Sequence, residues 1–459
     1  MPQYDIAVIG SGPGGYVAAL RAAALGKKTC VIERKALGGV CLNRGCIPTK
    51  TLAHTAEVYA QAVAGEEIGV IAKDVTVDFA KMQAAKDAVV KKLSGGVGFL
   101  LKRAKVDVLM GTGKLTDRKT IAVALNDGGE ETVEAEKIII ATGSDPARPG
   151  FISFDSDRVM TSDEALQLDA LPKSIFILGG GYIGCEFASI FAQLGVKVTV
   201  VEMLDSLLPG LDADVGAEIG KVLKKLKVKV HTGTKLEGLE AGEKGVIASL
   251  EGGKTVEADL ALVCIGRTML SDGIGLDHAG VSVEDGAIVI DEHCQTSVAG
   301  IYAIGDVTGK LQLAHVASAQ GIVAAEHAAG QAATMDYRCI PAAVFTEPEV
   351  GTVGLTEAEA IEAGYDVHAA KFPMQALGRA LAIGETAGFA KVVGDKKTGE
   401  VLGVHVVGAH ASDVIAEGGI AIALEATVGE LAHSVHAHPT LPEAIMEAAR
   451  AWLGQGIHA

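Results

Sequence analysis

The sequence predicts an α/β protein built around two parallel-sheet βαβ modules, with a change to mixed α and β structure toward the C-terminus. Three observations carry this. One strand–glycine turn–helix–strand pattern occurs twice, at residues 5–33 and 174–202. Almost half of the 459 residues are apolar while only 4% are aromatic, a profile of Ala, Val, Ile and Gly that suits buried parallel strands with helices packed closely over them. From about residue 337 the pattern becomes strands, polar turns such as Lys397-Thr398-Gly399, and two or more helices. A chain of this length exceeds the roughly 250–300 residues of a single hydrophobic core, so several domains are expected.

The first module runs from Asp5-Ile6-Ala7-Val8-Ile9 through Gly10-Ser11-Gly12-Pro13-Gly14-Gly15 and a helix to Thr29-Cys30-Val31-Ile32-Glu33. The second runs through Gly179-Gly180-Gly181-Tyr182-Ile183-Gly184 to Val198-Thr199-Val200-Val201-Glu202. Gly10 precedes Glu33 by 23 positions, and Gly179 precedes Glu202 by the same 23. A lone glycine motif is weak evidence, but two in one register are not. Gly10 and Gly179 would permit the tight turn. Gly12 and Gly181 would let backbone approach a pyrophosphate. Gly15 and Gly184 would let each helix pack close to its strand. Each helix N-terminus then offers free N–H groups to phosphate, and each Glu offers a carboxylate to ribose. Both modules are therefore expected to be Rossmann-like and dinucleotide-binding. Glu202 would repel a 2′-phosphate, and Met203 and Leu204 follow it with no Arg, so NAD is favoured over NADP.

Further apolar runs end in glycine turns: Lys137 to Gly143, Leu260 to Arg267, and Gly300-Ile301-Tyr302-Ala303-Ile304-Gly305-Asp306. An Ala-rich stretch over 313–333 predicts a helix.

Cys41 and Cys46 lie five apart in Gly38-Gly39-Val40-Cys41-Leu42-Asn43-Arg44-Gly45-Cys46-Ile47-Pro48-Thr49-Lys50. A regular helix would separate their Cα atoms by roughly 8–9 Å. A disulfide requires about 4.4–6.8 Å. The pair therefore needs a distorted turn, which Gly45 would help form, and a strained, exposed disulfide is easily reduced. No further Cys or His at ligand spacing favours zinc. Near the C-terminus, His433-Ser434-Val435-His436-Ala437-His438-Pro439-Thr440-Leu441-Pro442-Glu443 predicts a proline-bounded loop followed by a helix starting at Glu443. A His oriented by a carboxylate is a competent base for a thiol, although three close His could also serve a metal or a purely structural cluster.

These motifs resemble the class I flavin disulfide reductases, the pyridine nucleotide-disulfide oxidoreductase family, over essentially the whole chain. Within the family the chain is most similar to the branch that oxidises dihydrolipoamide and reduces NAD. The resemblance implies an FAD-binding domain (1–145), an NAD-binding domain (146–266), a central domain completing the FAD site (267–336) and an α+β dimerisation domain (337–459). It assigns Gly10, Gly12, Gly15 and Glu33 to FAD, with Gly143, Asp306 on the ribityl chain and Ala314 opening the helix aimed at the flavin. Gly179, Gly181, Gly184, Glu202 and Gly266 fall to NAD. Cys41 matches the interchange thiol and Cys46 the thiol facing the flavin. Lys50 matches the lysine beside the flavin ring, with Glu186 as its partner. His438 and Glu443 match the base and its orienting carboxylate, which act in the other subunit of a homodimer. Implied partners are lipoyl domains carrying dihydrolipoamide and the acyltransferase core of a 2-oxo acid dehydrogenase complex, with glycine cleavage as another setting.

Rival readings are weaker. Glutathione reductase would favour NADPH and basic residues after the second module. Mercuric reductase would need a cysteine pair near the C-terminus, but the last cysteine is Cys339. A soluble transhydrogenase would lack the Cys41/Cys46 pair, and a non-catalytic FAD-bound scaffold would need none of the four reactive residues. The net charge of −17 shows no basic patch for nucleic acid and suits a basic protein partner. No apolar run predicts a membrane span and no export signal is expected. Seven thinly spread cysteines fit a reducing cytoplasm rather than a disulfide framework.

Overall fold

A computed structural model describes residues 3–458. The chain gathers into two compact units. The first comprises residues 1–51, 80–147 and 266–336, and the second comprises 52–79, 148–265 and 337–459.

The first unit is organised on a six-stranded sheet. Gln3–Ile9 lies between Thr29–Glu33 and Glu130–Ile140, parallel to both, with Ile9 opposite Ile32 and Ile140. Every residue of Thr29–Glu33 is buried, as expected of a parallel strand covered on both faces. Ile301–Ala303 extends the sheet, parallel to Glu130–Ile140. The antiparallel strands Asp107–Leu115 and Thr120–Leu125 alternate buried and exposed residues along part of their length. The helices Pro13–Ala24 and Ala314–Ala328 pack together, where a Cβ on Gly321 would sit 2.5 Å from the Gly14 carbonyl oxygen. The predicted 313–333 helix thus forms but stops at Ala328, before Gly330.

The second unit contains a five-stranded parallel sheet in the order Lys229–His231, Lys197–Val201, Ser174–Leu178, Leu260–Val263, Val159–Met160. It also holds an antiparallel three-stranded sheet from 236 to 258 and a five-stranded antiparallel sheet. In that last sheet Phe389–Asp395 and Val401–Gly408 are buried along their full length, and helices Ala411–Ala423 and Glu443–Trp452 pack against it. The change to mixed strands and helices after about residue 337 matches the sequence expectation, and the structure adds that these strands run antiparallel. One polar cluster interrupts the apolar interior: Lys391, 3% exposed, places Nζ 2.9 Å from Asp212, 2.8 Å from Asp214 and 2.8 Å from Glu357. Sequence reading did not anticipate it, because its members are distant in the chain.

Two helices, Cys46–Ala64 and Phe79–Arg103, fill the stretch that sequence reading left unassigned. Among the described residues, no helix is long and apolar enough to cross a membrane, and no group of three or more His, Cys, Asp or Glu could hold a metal ion.

Candidate active site

The redox segment begins where the first glycine turn meets Gly39. Gly39 has φ +60°, and a Cβ there would lie 2.5 Å from Gly12 Cα. Only glycine allows that approach, and it seats the short helix Gly39–Arg44 on the turn. Asn43 locks this helix in place. Its Nδ2 donates to the Leu37 and Gly39 carbonyls at 3.0 and 2.8 Å, and its Oδ1 accepts from Ser94 Oγ at 2.9 Å. Arg44 pairs with Asp145 at 2.6 Å, and Arg34 approaches the same carboxylate at 3.5 Å. Burial pushes Asp145 up, but Arg44 first, then Lys35 and Arg34, hold its carboxyl below the usual range.

At Gly45 (φ −144°, ψ −112°) the helix breaks, and a second helix starts at Cys46. This is the distortion the five-residue spacing requires. Cys41 and Cys46 are unbridged thiols in hydrogen-bond contact. The hydrogen bond to Cys46 pushes the Cys41 thiol up strongly, with burial and the Cys46 charge adding to it, while Lys50 pulls it down. Two close thiols cannot both ionise easily. Cys46 holds the favoured position for the thiolate, the N-terminus of a 19-residue helix. Lys50 follows one turn later on the same face.

Both dinucleotide turns have the expected shape. A Cβ on Gly10 would meet the Ala141 carbonyl oxygen at 2.2 Å, and one on Gly15 the Gly10 carbonyl oxygen at 2.0 Å. In the second module the values are 2.5 Å for Gly179 against Cys264 O and 1.9 Å for Gly184 against Gly179 O. The middle glycines differ: Gly181 has nothing within 4 Å, and Gly12 meets only Gly39 Cα at 4.0 Å. The first and third glycines are thus filled by protein, and the second leaves room for a ligand. Gly143 and Gly266, both at positive φ, also face open space.

Glu33 and Glu202 do more than sequence reading assigned. Glu33 accepts the Ser11 amide at 2.8 Å, the Ser11 hydroxyl at 2.6 Å and the Lys35 amide at 2.8 Å. Glu202 accepts the Gly180 amide at 2.7 Å and the Leu204 amide at 2.8 Å. Each carboxylate ties its glycine turn to the end of the neighbouring strand. Lone pairs remain for a ribose, since an ionised carboxylate offers about four acceptor sites.

Asp306 lies in the one-turn helix Gly305–Thr308 and accepts from the Ser144 hydroxyl. Arg267 braces the pair. It donates to Ser144 Oγ at 2.7 Å and Ser144 O at 2.8 Å, with Nε 3.7 Å from Asp306. Ser144 and Arg267 were missed in the sequence because their meeting depends on pairing of Ser144–Pro146 with Arg267–Met269. Ala314 opens its 15-residue helix after an extended Leu313, with no side-chain cap on the first amides. Glu186 is buried on the helix Tyr182–Gln193 and accepts the Phe345 amide at 2.9 Å.

His438 and Glu443 form the expected dyad, with Nδ1 2.9 Å from Oε1. Glu443 starts its helix as predicted, and its other oxygen accepts the Thr440 amide at 2.7 Å. Burial raises the Glu443 carboxyl, but the Thr440 amide and His438 hold it below the usual range. The His438 side chain is 77% exposed.

Residues 4–321 match the family model described as pyridine nucleotide-disulphide oxidoreductase, and residues 340–449 match that family's dimerisation domain. The chain belongs to the pyridine nucleotide-disulphide oxidoreductase family. As a member it has the expected α/β architecture with Rossmann-like regions, a central domain and a C-terminal dimerisation domain. Membership implies FAD and NAD(H). It is 45% identical over 470 residues to a dihydrolipoyl dehydrogenase of Bacillus subtilis (strain 168), covering 99% of each chain. It is 46% identical to a dihydrolipoyl dehydrogenase of Geobacillus stearothermophilus over 460 residues, covering 99% of this chain and 97% of that one. Among solved structures, LpdA from Mycobacterium tuberculosis matches with a TM-score of 0.91 at 30% identity, over 98% of this chain and 99% of that one. The HOCl-induced flavoprotein disulfide reductase RclA from Escherichia coli, as its Cu(II) complex, matches at 0.89 and 29% identity, over 98% of this chain and 100% of that one.

Proposed function

We propose that this family member is a dihydrolipoyl dehydrogenase, oxidising protein-bound dihydrolipoamide and reducing NAD. The single observation that carries the reading is the thiol pair Cys41/Cys46 in one chain with a carboxylate-oriented base, His438–Glu443. The similarity to two dihydrolipoyl dehydrogenases over nearly the whole chain supports the substrate.

In the oxidised enzyme Cys41 and Cys46 form a disulfide. His438 Nε2 takes a proton from one substrate thiol, and the resulting thiolate attacks Cys41 Sγ. The Cys41–Cys46 bond breaks, and Cys46 leaves as a thiolate favoured by its helix N-terminus and Lys50. The second substrate thiol then attacks the mixed disulfide. Oxidised lipoamide departs, and Cys41 takes up a proton. Glu443 holds the His438 ring so that Nδ1 donates and Nε2 receives. When bound, FAD supplies the two-electron route from the dithiol to NAD. Gly10, Gly12, Gly15, Glu33, Gly143, Asp306 and Ala314 would hold it. Gly179, Gly181, Gly184, Glu202 and Gly266 would hold NAD, with the Glu202 carboxylate disfavouring a 2′-phosphate. Lys50 would sit beside the flavin.

The working form in this reading is a homodimer, with each His438 serving the partner's thiols. Its high exposure in the single chain suits that role. The four-domain division at 145, 266 and 336 belongs to the same reading. Lipoyl domains and a basic docking module on an acyltransferase core are the proposed partners, favoured by the net charge of −17. The proposed compartment is the cytoplasm.

The test is a visible spectrum during titration with dihydrolipoamide, followed by NAD. A flavin spectrum that gains a long-wavelength band and then yields NADH supports the whole reading. A flavin reduced by NADH but unmoved by dihydrolipoamide overturns the substrate while leaving the family in place.

A further inference from the structure

His436 stands two residues before the base, in very different surroundings. Its Nε2 lies 2.9 Å from Glu417 Oε1, and its Nδ1 lies 3.0 Å from the Ser434 carbonyl oxygen. A carbonyl and an ionised carboxylate only accept hydrogen bonds. Both ring nitrogens of His436 are therefore committed to neighbouring oxygens, and neither is left to take a substrate proton. The contrast with His438 is direct. There only Nδ1 is engaged, by Glu443, and Nε2 makes no hydrogen bond among the described residues. The His436 side chain is 11% exposed, against 77% for His438.

Glu417 lies on the helix Ala411–Ala423, which packs on the buried strands of the second unit. The bond to His436 therefore ties the proline-bounded loop to a rigid element. The loop's other anchors are shorter-range in sequence: Ser434 Oγ donates to Glu430 O at 2.8 Å, Thr440 Oγ1 donates to Ala437 O at 2.7 Å, and the Thr440 amide and His438 bond to Glu443 at the start of the following helix. Carboxyl and imidazole groups alternate along the set, from Glu417 through His436 to Glu443 and His438. His436 is itself among the groups that hold the Glu443 carboxyl down, after the Thr440 amide and His438. The other titratable groups beside the loop are engaged elsewhere. His433 Nδ1 meets Gly429 O at 2.6 Å, and the Glu430 carboxylate caps Thr427.

We propose that His436, clamped by Glu417, is a positioning residue for the base: a ring held at both nitrogens that anchors the His438 loop. This rests on the reading of His438 as the base. It explains why two histidines one residue apart take different roles. The ring with a free nitrogen exchanges protons, and the ring with none holds the frame.

The experiment uses the FAD-loaded full chain. Rapid mixing follows flavin reduction by dihydrolipoamide and, separately, by NADH, for wild type, His436→Gln, Glu417→Gln and the double variant. His436→Gln should slow the dihydrolipoamide reaction by roughly 10–100-fold, the scale of a misplaced catalytic group. Because the loop positions a base and not a binding group, the limiting rate at saturating dihydrolipoamide should fall while the half-saturating concentration stays near wild type. Glu417→Gln should slow the same reaction, and the double variant should be no slower than the slower single, because both act through one contact. NADH-driven reduction should be unchanged throughout. A His436→Gln protein with a wild-type limiting rate overturns the inference, as do a loss confined to half-saturation, additive losses or equal losses with both reductants. A wild type that NADH reduces and dihydrolipoamide does not would instead remove the functional reading, and this inference with it.

Discussion

In the proposed mechanism, replacing His438 or Glu202 should separate the two half-reactions. His438→Gln would remove the nitrogen proposed to accept the substrate proton. It should cost about 10²–10⁴ in flavin reduction by dihydrolipoamide, the usual contribution of a positioned base. Reduction by NADH should stay near wild type, as rapid mixing with each reductant would show. Glu202 would act at the other end of the proposed chemistry. Its two amide bonds fix the carboxylate at the second glycine turn. Glu202→Ala should raise the ratio of kcat/KM for NADPH to that for NADH by about tenfold or more, by removing like-charge repulsion. The same change frees the Gly180 amide, so NADH itself should bind more weakly. Steady-state kinetics with both nucleotides checks the pair of effects.

At the scale of elements, the glycine turns are the most sharply constrained pieces. A Cβ on Gly184 would lie 1.9 Å from Gly179 O, backbone that cannot yield. Gly184→Ala should therefore abolish NAD binding while the protein still holds FAD and is reduced by dihydrolipoamide. Flavin content and single-turnover reduction distinguish this from misfolding. Much of this element level was legible in the sequence. Strand, turn and helix are local, and the 23-residue register reports a local geometry twice. The break at Gly45 was legible for a similar reason, because the distance demanded by two cysteines excludes a continuous helix. What was not legible sits between elements. Ser144 and Arg267 are 123 positions apart and meet only through one short strand pair. His436–Glu417 needed the loop to fold back on the helix Ala411–Ala423.

For the whole molecule, two predictions follow from charge and assembly. The Lys391 cluster buries one lysine among three carboxylates. Removing the cation leaves Asp212 buried and unpaired, so Lys391→Met should cost about 3–5 kcal/mol in a denaturant titration. Burial raises Asp212 and Asp214, but Lys391, with Lys371 beside Asp214, holds both carboxyls below their ordinary value. A depressed carboxylate stabilises the fold above its unfolded value near ~4 and loses that contribution as pH falls through the folded value. Wild type should thus lose stability below about pH 4 more steeply than Lys391→Met. The second prediction concerns the dimer. If His438 serves the partner's thiols, Cys41→Ser and His438→Gln subunits are each inactive alone. Mixed at equal amounts and reassociated, half the dimers would carry one intact site, restoring about a quarter of wild-type activity. No recovery after verified exchange would place the base in its own subunit.

The sequence by itself determined the α/β class, the two dinucleotide turns and the redox pair, each from pattern or spacing along a continuous stretch, while the choice of His438 with Glu443 among three close histidines came from the resemblance to the family. Tertiary structure alone decided which carboxylates tie the turns, how Arg267 braces Asp306, which of two neighbouring histidines has a free nitrogen, and that Lys391 is buried among acids. These depend on strand pairing and helix docking between segments up to 179 residues apart. A hydrogen bond of about 3 Å needs three-dimensional register that sequence spacing does not encode.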